Sequence, residues 1–240
     1  MKTQPNAHAY ALFALLFVAG IGRAQTSSKS DKPARTNGSP AVTLTRYEPR
    51  PGSKVRIEGI STRSDWQVES TLLGGFLEVG PDFPIEPGQP VRPGKVEARA
   101  EAFVLIHSLK SVERGGHPFS DEMDKIMFEK LGAQDDPKAK ITYHLTELVL
   151  REIPKSKHEP YVFDSVGALA IAAVTNAVTM PLNVLPLGNK KLKISGFISI
   201  KMTDYKIQPP ALTLSFGPLK TGDEVKLIFE WVLAERAKSN

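Results

Sequence analysis

The side chains that could do chemistry in this chain are few and scattered. There is no cysteine. The histidines are His8, His107, His117, His144 and His158, and none shows the HxxH, HxxxH or HExxH spacing that gathers metal donors on one face. Ser61, His107 and Asp65 could be written as a hydrolytic triad, but no nucleophile elbow or oxyanion loop accompanies them. Asp121, Glu122 and Asp124 form an acidic group whose simplest role is to complement the positive end of a helix. No glycine-rich phosphate loop is present. The sequence therefore predicts no catalytic residue, no metal site, no cofactor and no enzyme.

The elements that hold these residues are strands. Val55 to Trp66, VRIEGISTRSDW, alternates apolar and polar residues, pauses at Gly59, and passes through a small polar corner to a tryptophan. It reads as a strand, a turn and the start of a second strand that runs to Leu72. Gly80 to Gly94 holds five prolines and reads as a long loop. Lys95 to Leu109 has the cleanest period of two, with Val96, Ala98, Ala100, Ala102, Val104 and Ile106 on one face. Phe119 to Leu131 switches period. Ser120 is a candidate N-cap, Met123, Ile126, Met127 and Leu131 share one helical face, and Gly132 is a natural stop. Strands resume at Ile141 to Arg151, Tyr161 to Val174, Val178 to Leu187 and Lys191 to Met202. Ala211 to Leu219 is ambiguous, and Thr221-Gly222-Asp223 reads as a turn into a last strand, Glu224 to Leu233. The expected fold is all-β: roughly eight long antiparallel strands closed into an up-and-down barrel, with one short helix. Segments 96–102 and 167–173 carry small side chains where a filled barrel needs large ones. They either leave volume inside or let the helix pack closely outside.

The first 41 residues differ in kind. Lys2, the apolar run Ala9 to Ile21 and the small residues of Gly22-Arg23-Ala24 have the layout of a signal peptide cleaved after Ala24. An uncleaved anchor is the alternative, although the run is shorter than the about 20 residues a span needs. Gln25 to Ala41 is rich in Ser, Lys, Pro and Gly and reads as a flexible linker. The barrel domain is then 42–235, in a periplasmic or secreted protein. Without cysteine its stability must come from a core. The net charge is +5, of which residues 1–24 and 25–41 contribute +2 each, leaving +1 for the rest. A near-neutral body gives no reason to expect a nucleic-acid partner.

Five segments carry a further signal: Gly59 to Trp66 (GISTRSDW); Ser108-Leu109-Lys110-Ser111 followed by Met123-Asp124-Lys125 and Leu131; Val174-Thr175 with Val178 to Leu182; Met202 to Pro210 (MTDYKIQPP); and Lys220 to Val225 (KTGDEV). Together they resemble the YceI-like family of periplasmic polyisoprenoid-binding proteins. The resemblance spans about Val42 to Leu233. It implies an extended lipocalin-like barrel whose apolar cavity holds an isoprenoid or other lipid, with no catalysis. Arg63-Ser64 stand where the family branch reads Leu-His, so no role for that histidine carries over. Ala173 stands where a glycine is usual, which bears on a local bend.

The expected function is thus a periplasmic or secreted lipid-binding barrel, with no membrane span once the signal is removed and a homodimer left possible. The alternative is a ligand-free structural or protein-interaction module of the cell envelope. Candidate ligand-binding residues are Trp66, Val104, Ile106, Phe128, Tyr143, Phe163, Ile171, Phe197 and Met202. The helix is expected to cap or flank the mouth.

Overall fold

The computed structural model describes residues 43–113, 116–214 and 217–237. The expected signal and linker lie outside them. The first strand is bent into two halves, β1 (Thr45–Pro49) and β2 (Lys54–Ser61), joined across Pro51-Gly52. The second is bent likewise into β3 (Trp66–Ser70) and β4 (Leu73–Val79). A long loop ends at the short β5 (Gly94–Lys95). The third strand consists of β6 (Ala98–Leu105) and β7 (Lys110–Val112), separated by a 3-10 turn at Ile106–Ser108. Helix α1 (Asp121–Lys130) follows. Four long strands come next: β8 (Lys140–Glu152), β9 (Tyr161–Ile171), β10 (Val174–Gly188) and β11 (Lys191–Lys201). A second 3-10 turn, Met202–Tyr205, leads to β12 (Ala211–Leu214) and β13 (Gly217–Glu235).

Paired in this way, the chain is an eight-stranded up-and-down barrel in strict sequence order. β1, β4, β6, β8, β9, β10, β11 and β13 are joined edge to edge, all antiparallel, and β1 closes on β13. No open edge remains around that ring. The expected class, strand number and single helix are all present. Three details differ from the sequence reading. Tyr161 to Val174 is not one strand: it turns at Ala172-Ala173, both at positive φ (47° and 65°), and separates β9 from β10. Alternation could not show this because a two-residue hairpin turn leaves the apolar run unbroken. Thr221-Gly222-Asp223 is not a turn but an irregularity within β13, between the pairs Thr221↔Ser61 and Val225↔Gly59. The clean run from Lys95 to Leu109 is not one strand: Lys95 ends the short β5, β6 begins at Ala98, and the run passes into the 3-10 turn after Leu105.

The two ends of the barrel are built differently. At one end β2, β3 and β7 continue the wall from β13, and among the described residues no long strand pairs with the far side of β7. Helix α1 is held against that edge. Asp124, 4% exposed, accepts the Ser111 backbone N–H at 2.7 Å and lies 3.2 Å from Lys110 Nζ. Ser120 caps the helix by accepting the Met123 N–H. At the other end Tyr47, Phe83, Tyr161, Phe163, Leu192 and Leu233 fill the interior, all 0–1% exposed. The phenylalanines and leucines among them contribute roughly 1.5–3 kcal/mol each by leaving water. Outward positions carry ion pairs across or between strands, such as Arg56–Glu69 at 3.3 Å and Arg151–Asp164 at 3.1 Å. Pairs this exposed add about 0–1 kcal/mol each. No helix among the described residues is long and apolar enough to cross a membrane.

Candidate functional site

Inward-facing side chains leave two neighbouring spaces. The deeper one is small, about 90 Å³, and no polar atom reaches its surface. Val55, Phe83, Ala100, Ala102, Val104, Tyr143, Met180, Phe229 and Trp231 are among its walls. The second, about 1100 Å³, opens at the helix end. Its wall includes Trp66, Met123, Ile126, Met127, Ile171, Met202, Tyr205 and Ile207, with a rim carrying Glu58, Arg63, Glu113, Lys130 and Glu224. Ile141 and Leu227 border both spaces and form a collar between them.

Local chemistry explains how the mouth is held. Ser61 Oγ accepts the N–H groups of Arg63 and Ser64 and donates to Ser64 O at 2.8 Å, which closes the polar corner. Thr62 ties that corner to β13 by two bonds with Lys220, its N–H donating to Lys220 O at 2.9 Å and its Oγ1 accepting the Lys220 N–H at 3.1 Å. The Trp66 ring lies flat on Gly59, where a Cβ would come within 2.3 Å of it, and its Nε1–H donates to Ile60 O at 3.3 Å. Asp223 accepts the Thr203 N–H and hydroxyl at 2.9 and 2.7 Å, which fixes the 3-10 turn at the mouth. These two bonds, the hydroxyl first, hold the Asp223 carboxyl below the usual carboxylate range. Four of the five segments that carry the family resemblance therefore meet around one opening. The fifth supplies Val178, Met180 and Leu182 to the deep chamber.

The nine candidate binding residues separate by position. Val104 and Tyr143 line the deep chamber, and Trp66, Ile171 and Met202 line the mouth. Ile106 and Phe163 are core residues that border neither space, each 0–1% exposed. Phe128 turns away from the cavity, its ring 4.4 Å from the His107 ring. Phe197 points outward, 49% exposed, with Lys226 over its ring. Phe197 shares its phase along β11 with Lys191, Lys193 and Lys201, opposite the buried Leu192 and Ile194. Sequence reasoning missed Phe83, Met180, Trp231 and the helix face Met123, Ile126 and Met127 as lining residues. The last three were already grouped on one helical face.

The small residues resolve unevenly. Ala100 and Ala102 do face the chamber. On β9, however, Leu169 and Ile171 are buried while Ala168 and Ala170 are the less buried, alternate positions. Gly167 faces inward beneath the Tyr143 ring, which would lie 2.4 Å from a Cβ there. Burial raises the Tyr143 hydroxyl pKa, and the neighbouring Ser165 hydroxyl partly offsets this. The Trp231 indole N–H is buried with no hydrogen-bond partner among the described residues.

Among the described residues, those that line these spaces form no catalytic constellation. His107 Nε2 lies 2.6 Å from Ala133 O, beside the helix and engaged with backbone. No group of His, Cys, Asp and Glu among the described residues could hold a metal ion. The arrangement defines a class: an antiparallel up-and-down barrel, plugged at one end and open at the other onto an apolar cavity.

Solved structures share this fold. A polyisoprenoid binding domain from Saccharophagus degradans, implicated in plant cell wall breakdown, superposes with a TM-score of 0.54 at 13% identity, covering 81% of this chain and all of that one. Burkholderia cenocepacia BcnA superposes with a TM-score of 0.51 at 14% identity, covering 75% of this chain and 95% of the other. A Campylobacter jejuni YceI protein, 16% identical, is more distant, with a TM-score of 0.44 over 71% of this chain and 85% of its own. At these identities the likeness is one of fold. No protein-family model matches the sequence, and no curated protein matches it.

Proposed function

We propose that this protein is a YceI-like carrier that holds a long apolar ligand, of isoprenoid type, inside its barrel. The observation that carries this reading is the mouth cavity of about 1100 Å³, which shares the wall residues Ile141 and Leu227 with a chamber of apolar surface. Such a site gains affinity by removing hydrocarbon from water, about 25 cal/mol per Å² before ordering costs. The convergence of the family-like segments on the mouth supports the reading, as does the fold shared with a polyisoprenoid binding domain. The binding role needs no catalytic group. Residues 1–24 act as an export signal and 25–41 as a tether, so the barrel works in the periplasm or outside the cell.

The test is organic extraction of protein purified from its own host, followed by mass spectrometry. A long-chain lipid should be recovered in near-stoichiometric amount. Because Trp66 borders the mouth and Trp231 the deep chamber, added prenols should also change tryptophan emission. A lipid-free protein whose emission ignores every added isoprenoid would sink the reading.

A further inference from the structure

The loop between β4 and β5 does more than connect them. It folds under the barrel and inserts Phe83, 1% exposed, whose ring stacks on Phe163 with centroids 5.5 Å apart and 19° between planes. Loop bonds hold it there. The Phe83 N–H donates to Gly80 O at 3.2 Å. Gln89 Oε1 accepts the Ile85 and Glu86 N–H groups, and its Nε2 donates to Phe83 O at 3.4 Å. Tyr161 Oη donates to Gln89 O at 2.7 Å, which pins the loop to β9. Phe83 borders the deep chamber. It is thus a plug supplied by a loop, whose removal would break no bond of the strand ladder.

The chamber above it is about 90 Å³, smaller than the roughly 150 Å³ cavity that takes up benzene. Its surface offers nothing polar to a head group, while the mouth carries Glu58, Arg63 and Lys130 on its rim. We propose that the deep chamber is the subsite for the far end of the ligand's hydrocarbon chain, and that Phe83 is its floor and sets the chain length the barrel accepts. This rests on the lipid-binding reading above. A chain enters tail first, passes the collar of Ile141 and Leu227, and stops at the Phe83 ring. Chains that end short of the floor leave the chamber empty. Longer ones must leave carbons in water at the mouth.

Two opposed substitutions test the assignment. Phe83→Ala removes the floor, and Phe83→Leu does so in part while keeping an apolar plug. Ala100→Leu fills the chamber from the β6 wall. Affinities for geraniol, farnesol, geranylgeraniol and longer all-trans prenols are measured by tryptophan emission on the whole protein. Relative to the best chain of the wild type, preference for the next longer prenol should rise at least about tenfold in Phe83→Ala, less in Phe83→Leu, and fall comparably in Ala100→Leu. If these variants bind prenols with the wild-type length profile, the floor assignment is overturned and the lipid-binding reading stands. If the wild type binds no prenol of any length, both fall together.

Discussion

Ala173 shows how one position can be conspicuous in a sequence and still be misread there. It stands where the similar family has a glycine, and the structure puts it at φ 65°, the second residue of a two-residue hairpin turn. Both turn residues are alanine, in a conformation that an L-residue with a Cβ adopts at a penalty of about 1–2 kcal/mol. The β10–β11 turn meets the same demand with Asn189 and Lys190, at φ 50° and 58°, and asparagine tolerates it better. Ala173→Gly should therefore stabilise the barrel by about 1 kcal/mol, less the added freedom of the unfolded chain. Urea unfolding followed by tryptophan emission measures this. A glycine variant no more stable than the parent would mean the turn is not strained. Gly59 was legible only as a pause in the strand. Its reason, a tryptophan ring lying on the backbone, needs the register that pairs it with Trp66. Register is absent from a pattern of alternation.

Helix α1 was the most legible element, because a cap, an apolar stripe and a terminal glycine all agree at one place. What the sequence could not give was its seat. Asp124 looked like one of three acids at a solvated helix start, yet it is buried and joins α1 to β7 through the Ser111 N–H and Lys110. Ser111 adds a second tie, its Oγ donating to Ser120 O at 2.9 Å. The helix fills the wall where, among the described residues, no long strand pairs with the far side of β7, and its apolar face borders the mouth. Asp124→Ala leaves a buried backbone donor unmet, a loss of about 1–3 kcal/mol. The loss should be local. Amide exchange within 121–131 should speed up, while β9, β10 and β11 keep their protection. Faster exchange spread evenly through the strands would show that Asp124 supports the whole barrel and not the attachment of the helix.

The barrel as a whole closes only when β13, the last strand, pairs with β1 and β2, the first, and with β11. The number of strands and their antiparallel order were readable from turns and alternation. The bends that split β1 from β2 and β6 from β7 were not. They arise where the regular wall gives way to the mouth, a property of the closed ring and not of any one segment. Without disulfides the molecule depends on its interior, and that interior contains tyrosines at both ends. Tyr47, 0% exposed with its hydroxyl unpartnered among the described residues, has its pKa pushed up to about 12, chiefly by burial, then by Glu235 and Glu86. Burial also raises Tyr143, Tyr161 and Tyr205. A raised pKa means the folded state holds its proton longer than the unfolded chain. The contribution is complete below the unfolded value near 10 and is lost as pH climbs to about 12. For Tyr47 alone the difference is on the order of 2–3 kcal/mol. Stability should accordingly be insensitive to these groups below pH ~9 and fall steeply above pH ~10. In Tyr47→Phe the buried orphan hydroxyl is gone, so at neutral pH the variant should match or slightly exceed the parent. Its alkaline decline should be shallower, the three other tyrosines accounting for what remains. Urea midpoints at pH ~8 and pH ~11 for both proteins decide the matter: an equal drop in the two would show that Tyr47 does not limit the alkaline stability of the closed barrel.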